Sequence, residues 1–143
     1  MRLHSSVGKG RARRRGVSVV EAAIVLPVVF LILLGIIVGA LAVFAYQEVS
    51  SLAREGARYA SVHGTRYEMA TARPAATPEE IYEKAIKPRI VSLDPAKLTY
   101  EVTWDTDNRP GSYVTVKVSY LWDLGIIFGD LEFSSTSTIL MSW

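Results

Sequence analysis

Residues 11–46 read RARRRGVSVVEAAIVLPVVFLILLGIIVGALAVFAY: a basic cluster, a glycine, an acid five positions later and a long apolar run. The run Ala22–Ala45 contains 24 consecutive residues without a charge, an amide or a hydroxyl group. As a helix rising ~1.5 Å per residue it spans about 36 Å, more than the ~30 Å hydrocarbon core of a bilayer. The rest of the chain is too short to surround such a helix with a soluble core, so we expect it to cross the lipid bilayer.

Charge is distributed unevenly along the 143-residue chain, whose formal net charge is +2. Residues 1–16 hold six of the sixteen basic residues and no acid, whereas Gln47 and Glu48 follow the apolar run. By the positive-inside rule, we expect a single-pass protein of the cytoplasmic (inner) membrane, with its N-terminus inside and its C-terminal domain outside. The remaining ten basic residues face fourteen acidic ones, so we expect no nucleic-acid partner.

Two other export signals compete with a membrane anchor. Ala40-Leu41-Ala42 has the small-x-small form of a secretory cleavage site, but the preceding apolar run exceeds the usual ~7–15 residues of a secretory signal. Arg14 and Arg15 resemble a twin-arginine signal, which is also disfavoured by so long an apolar run. We therefore expect the helix to remain in the mature protein.

Helical periodicity continues beyond the apolar run, which predicts one helix from about Val17 to His63 with Gly64 as its C-cap. Residues 17–46 are its transmembrane part and residues 47–63 its amphipathic extension. Glu55 and Arg58 are spaced to form an ion pair on the helix surface. The apolar stripe consists of Val49, Leu52, Ala53, Gly56 and Ala60, most of which are small residues.

Residues 64–143 are expected to form a small extracytoplasmic domain. Residues 64–76 lack periodicity and predict a connecting loop, and Thr77-Pro78-Glu79-Glu80 predicts the start of a short helix running to about Lys87. Alternating residues on both sides of the turn at 107–111 predict an antiparallel hairpin, and residues 131–143 predict a third strand. The expected fold is α+β, with one long N-terminal helix packed on an antiparallel sheet of about three strands plus one short helix.

The segment between the second and third predicted strands is unusually apolar for a loop. It contains Ile126, Ile127 and Phe128 between glycines and acids. Two interpretations stay open: these side chains fold into the core, or they form an exposed patch that contacts a partner or the membrane surface.

Glu21 is an ionisable group in the second turn of an otherwise apolar helix. Such groups are costly in membrane segments and therefore indicate a function. A cut after Gly16 would give Val17 a new α-ammonium with a pKa near ~8, which Glu21 could pair with in its own chain or in a neighbour. The same cut would remove the basic leader, residues 1–16.

This arrangement of basic residues, Gly16 and Glu21 resembles the type III signal of prepilins, which a membrane aspartyl peptidase cuts on the cytoplasmic side. Val20-Glu21-Ala22-Ala23 with Leu26-Pro27 resembles the TadE-like pseudopilins of the tight adherence (Flp pilus) system. So does a block after the membrane segment, Ala53-Arg54-Glu55-Gly56-Ala57-Arg58-Tyr59-Ala60. The resemblance covers roughly residues 13–62.

The resemblance implies a minor pilin-like subunit that is processed after Gly16 by a prepilin peptidase. Its implied partners are other pilin or pseudopilin subunits, the inner-membrane pilus assembly platform and the lipid bilayer. Two alternatives stay open. The chain could be an uncleaved anchor that presents a binding domain, or a major structural pilin.

Two features inside the membrane helix are typical of assembly. Gly35 and Gly39 form a GxxxG step that permits close contact between helices, although glycine is also common in membrane helices generally. Pro27 has no amide donor and leaves the Ala23 carbonyl without its helical hydrogen bond, which predicts a kink.

No catalytic pattern accompanies these features. The chain has no cysteine and two histidines, His4 and His63, and neither histidine belongs to a metal-binding or nucleophile–base pattern. No glycine-rich phosphate loop is present. We therefore expect neither an enzyme nor a cofactor.

Overall fold

A computed structural model describes residues 11–123 and 129–142, without the side chains of residues 11–17. The chain divides into two compact units, one up to Leu41 and the other from Ala42 onward. Helix α1 (Arg11–Val62) supplies all the described secondary structure of the first unit and continues into the second. Pro27 lies inside this helix.

The second unit combines the end of α1 with short helices and a sheet. Helix α2 (Thr65–Thr71) is followed by α3 (Pro78–Ile81), which continues as a π-helical turn and a 3₁₀ turn to Arg89. Strands β1 (Leu98–Trp104), β2 (Tyr113–Asp123) and β3 (Asp130–Leu140) complete it. The predicted α+β arrangement is confirmed.

The three strands form one antiparallel sheet in the order β1-β2-β3. The predicted hairpin joins β1 to β2, with Val102 opposite Val116. On β3, Ser137 lies opposite Val116. The hydroxyl-rich sequence of β3 follows from its position, because this edge strand is only half-buried on its inner side and exposed on the other.

The core lies between the inner face of the sheet and the helices. Alternate β2 side chains, Val114, Val116 and Val118, are fully buried there. The outer third of α1 and the helix beginning at Pro78 cover them, and the expected packing of the long helix on the sheet is confirmed. The buried helix residues in this core cluster are Ala45, Val49, Leu52, Ala53, Ala57, Ala60, Ile81 and Ile86.

Two expectations about the end of α1 were wrong. Gly64 has an extended backbone, with φ −87° and ψ −163°, and precedes α2 instead of capping α1 in the left-handed region. The segment predicted as a loop contains α2, which the sequence did not reveal because none of its residues is buried and it has no apolar period. Contacts from elsewhere hold it, including a 2.8 Å hydrogen bond from the Thr65 N–H to the Asn108 carbonyl.

The predicted start of the short helix is confirmed. The Thr77 hydroxyl accepts a 3.3 Å hydrogen bond from the Glu80 N–H, and Pro78 occupies the first turn. Helical turns extend two residues beyond the predicted end, because the 3₁₀ turn Lys87–Arg89 takes Pro88 into it. The apolar segment Ile126-Ile127-Phe128 lies outside the described residues.

Candidate functional site

Most of the apolar run of α1 has no protein around it among the described residues, although Ala45 at its end is buried in the core cluster. Its most apolar 18-residue window has a mean hydropathy of 3.1, and none of that window is buried. Large side chains such as Phe30 and Leu31 are exposed along it. Burying this surface in hydrocarbon removes the cost of exposing it to water. A single-pass membrane protein follows from this helix.

Gly16 and Val17, the residues at the expected cut, lie in the helical backbone of α1. Glu21 is exposed and follows Val17 by four residues, a rise of about 6 Å. Helical side chains lean toward the N-terminus of their helix, so the Glu21 carboxylate is directed toward the turn that contains Val17. The local geometry therefore suits a pair between Glu21 and an amine at residue 17.

Gly35 and Gly39 lie four residues apart on one face of α1. A Cβ atom built on either glycine would meet nothing within 4 Å. Neither glycine is therefore needed for packing within the described chain. The face is open to a close approach by another helix.

The block Ala53–Ala60 has a buried side and an exposed side. Ala53, Ala57 and Ala60 are buried against the sheet, as is Gly56. Arg54 and Arg58 are exposed on the opposite side. Most of the block therefore packs inside its own domain, and the two arginines are the members turned outward.

The half-buried polar members of the block bind the chain that runs alongside it. Glu55 forms an ion pair with Arg89 at 2.8 Å, so the expected pairing with Arg58 was wrong. The Tyr59 hydroxyl donates a 3.5 Å hydrogen bond to Glu80 Oε1. Burial and the neighbouring Glu80 carboxylate raise the pKa of Tyr59, which keeps this hydroxyl protonated as a donor. Sequence spacing missed both contacts because their partners lie on a different segment.

Glu48 is a second residue whose role appears only in the structure. Its carboxylate accepts hydrogen bonds from the Val91 N–H at 2.7 Å, from the Ser92 N–H at 3.1 Å and from the Ser92 hydroxyl. Burial alone would raise the pKa of Glu48, but these hydrogen bonds outweigh it and hold the pKa below its ordinary value. Glu48 thus fastens the loop after Arg89 to α1 just beyond the apolar run.

The described residues offer no arrangement typical of a metal centre. Among them, no group of three or more histidine, aspartate or glutamate side chains is placed to hold an ion.

Comparison with known proteins agrees with this geometry. Residues 16–58 match the family model described as TadE-like protein. The match begins at Gly16 and includes Glu21, both glycines of the GxxxG step and most of the block that packs on the sheet. No curated protein and no solved structure matches the chain.

Proposed function

We propose that this chain, which is TadE-like over residues 16–58, is a minor pilin-like subunit (a pseudopilin) in the assembly of an Flp-type pilus or a related secretion apparatus. The family match suggests pilus assembly in general, and the more specific role is our inference. The observation that carries it is that one helix joins an apolar segment to a folded domain. An uncovered apolar helix bears Glu21 near its start, and the same helix then becomes the buried support of a small α+β domain.

Processing between Gly16 and Val17 is the first part of the proposal. A prepilin peptidase would remove the six basic residues of the leader, which hold that end of the helix at the cytoplasmic face. The new Val17 ammonium would then pair with Glu21, so that neither charge remains alone in the apolar layer. Loss of the leader frees the helix to move out of the bilayer into an assembly.

Packing beside other subunits is the second part. The open face at Gly35 and Gly39 would contact the helix of another pilin or pseudopilin, with the assembly platform of the inner membrane acting on the inserted form. The C-terminal domain would lie outside the cytoplasmic membrane. The exposed Arg54 and Arg58 are available there to acidic groups of a neighbouring subunit.

Intact mass and N-terminal sequencing of the protein from cells with and without the prepilin peptidase test this function. We expect a chain that starts at Val17 in the first strain and at Met1 in the second. A Gly16→Phe variant should remain uncut, and Gly10→Phe, which changes another leader glycine, should be processed normally. A chain that starts at Met1 in both strains would instead support the uncleaved anchor.

A further inference from the structure

The second unit has a defined direction along α1. Near the end of the apolar run, Glu48 holds Val91 and Ser92 by hydrogen bonds. Farther along, the Ser61 carbonyl accepts a 3.0 Å hydrogen bond from the Ser142 N–H. The thirteen residue steps from Glu48 to Ser61 correspond to about 20 Å of helix. The Val91 loop therefore lies at the membrane-proximal end of the domain, and Ser142 at its distal end.

The sheet follows the same direction. At the membrane-proximal end of the sheet, the ring of Phe133 contacts the ring of Tyr46 on α1, with centroids 6.5 Å apart. The same Phe133 ring contacts Trp122, with centroids 5.7 Å apart. Trp104 pairs with Val114, eight residues before Trp122 on β2. At ~3.3 Å per residue, Trp104 and Trp122 are separated by about 26 Å along the sheet.

The membrane-proximal end carries a set of aromatic and aliphatic side chains, which we call the proximal rim: Tyr46, Val91, Trp122, Leu131 and Phe133. Val91 is 84% exposed, Tyr46 48% and Leu131 44%. Trp122 and Phe133 are half-buried. Tyr46 directly follows Ala45, the last residue of the apolar run, so the rim begins at the end of that run.

Acids outnumber bases near the rim. Arg89 pairs with Glu55 at 2.8 Å, and Lys97 pairs with Asp123 at 3.7 Å. Asp130 and Glu132 are exposed acids at the same end of the sheet. The rim is therefore not a basic patch, and its attraction to a surface must come from apolar and aromatic groups. Tyrosine and tryptophan favour the interface between hydrocarbon and water, where the ring is buried and its polar group stays hydrated.

We infer that the proximal rim rests in the interfacial layer of the bilayer that α1 spans, where its aromatic and aliphatic side chains contact the lipid. We choose the lipid surface as the partner of the rim because the rim directly follows the membrane segment along the chain. This inference rests on the membrane placement in the proposed function. It does not require processing after Gly16 or a pilus.

Single-tryptophan variants of the full chain test the docking. One variant keeps Trp122 (Trp104→Phe with Trp143→Phe), and its partner keeps Trp104 (Trp122→Phe with Trp143→Phe). The Trp104 indole N–H makes no hydrogen bond with the described residues, so its replacement breaks none there. Each variant is reconstituted in phosphatidylcholine vesicles that contain lipids with a spin label near the headgroup. We expect the spin label to quench the emission of Trp122 strongly and to leave the emission of Trp104 almost unchanged.

A second pair of variants separates docking from folding. Val91→Asp should reduce the quenching of Trp122, because a charge replaces the most exposed apolar rim side chain. Met69→Asp is the matched control, since Met69 is 82% exposed on α2 at the distal end. It should leave the quenching unchanged. Because both side chains are exposed, neither change should unfold the domain.

Each result has a defined consequence. Equal quenching of both tryptophans, or an unquenched Trp122 in protein that resists carbonate extraction, would overturn the docking while leaving the membrane anchor intact. Protein that carbonate extracts would overturn the membrane placement itself, and the docking with it. Quenching that needs anionic lipid and disappears in high salt would replace apolar docking by electrostatic attraction. Failure to assemble pili in cells would count against the proposed function alone.

Discussion

A Cβ atom placed on Gly56 would lie 3.1 Å from Cγ1 of Val116, so helix α1 and strand β2 approach more closely here than a side chain on the helix comfortably permits. The same atom would lie 3.3 Å from Cδ1 of Ile86. Gly56 is needed for space and not for an unusual backbone angle, since it is an ordinary helical residue. The position is one where the sheet, α1 and the helical segment after Pro78 meet.

Replacing Gly56 by valine should therefore destabilise the outer domain by about 2 kcal/mol, because added methyl groups overpack a closed contact. The measurement is thermal or denaturant unfolding of the full chain in detergent. Arg54→Val is the matched control, since it places the same β-branched residue on the exposed side of the same helix. We expect it to change stability by less than about 1 kcal/mol. Equal losses in the two variants would contradict the importance of this contact.

Glu48→Gln should weaken the attachment of the Val91 loop to α1. Because hydrogen bonds hold the folded pKa of Glu48 below its ordinary value of 4.5, its contribution to stability is complete above that value. It is lost as the pH falls through the lower, folded pKa. The variant should lose about 1 kcal/mol at neutral pH, a modest amount because the group is partly exposed. Its stability should also depend less on pH below about 4.5 than that of the native protein.

Hydrogen exchange at the Val91 and Ser92 amides gives a local measurement of the same change. Both amides should exchange faster in Glu48→Gln, since each loses the charge of its acceptor. Glu101→Gln, at an exposed site on β1, should leave their exchange unchanged. Unchanged exchange in the Glu48 variant would mean that other contacts hold the loop.

Glu21→Gln should leave cleavage after Gly16 largely intact and reduce pilus production. Glutamine keeps the size of the side chain but removes the charge that would pair with the Val17 ammonium. Glu21→Asp, which keeps the charge, should retain more assembly than the glutamine variant. Intact mass measures processing, and the yield of sheared pili measures assembly. A normal pilus yield from Glu21→Gln would remove the argument for pairing.

Gly35→Ile and Gly39→Ile should weaken association between membrane helices by roughly tenfold, about 1.4 kcal/mol, because a new side chain keeps the two backbones apart. Energy transfer between labelled copies in vesicles measures the association. Ala40→Ile enlarges a neighbouring exposed position off the glycine face and should leave association almost unchanged. The same loss in all three variants would show that bulk, not the glycine face, controls association.

Much of the fold follows from periodic patterns. The long helix and the hairpin between β1 and β2 were predictable because each depends on neighbouring residues. The predicted end of the helix near His63 is confirmed, but the helix begins at Arg11, six residues before the predicted start at Val17. The Thr77 cap was predictable because its donor lies only three residues away. Helix α2 was missed because it buries no side chain and depends on the distant carbonyl of Asn108.

The candidate site also contains some features that the sequence reveals and others that only the structure reveals. Gly16, Glu21 and the GxxxG step are recognisable in the sequence because spacing within one helix defines them. The contacts of Glu48 and Glu55 were not, since Val91 and Arg89 are far away along the chain and are brought near only by the path of the chain after Pro78.

The order of residues alone determines an apolar helix long enough to cross a bilayer, because the transfer of 24 apolar residues from water to hydrocarbon is the sum of local contributions. It also determines the basic segment 1–16 and the acid that follows it, Glu21. The tertiary structure decides why the alanines and the glycine after the membrane segment are small. They allow β2 to lie against α1, and the resulting packing sets Tyr46, Val91 and Trp122 at one end of the domain. The contact between β2 and α1, and the position of these three side chains at one end, depend on residues that are distant in sequence. Only the folded chain therefore defines them.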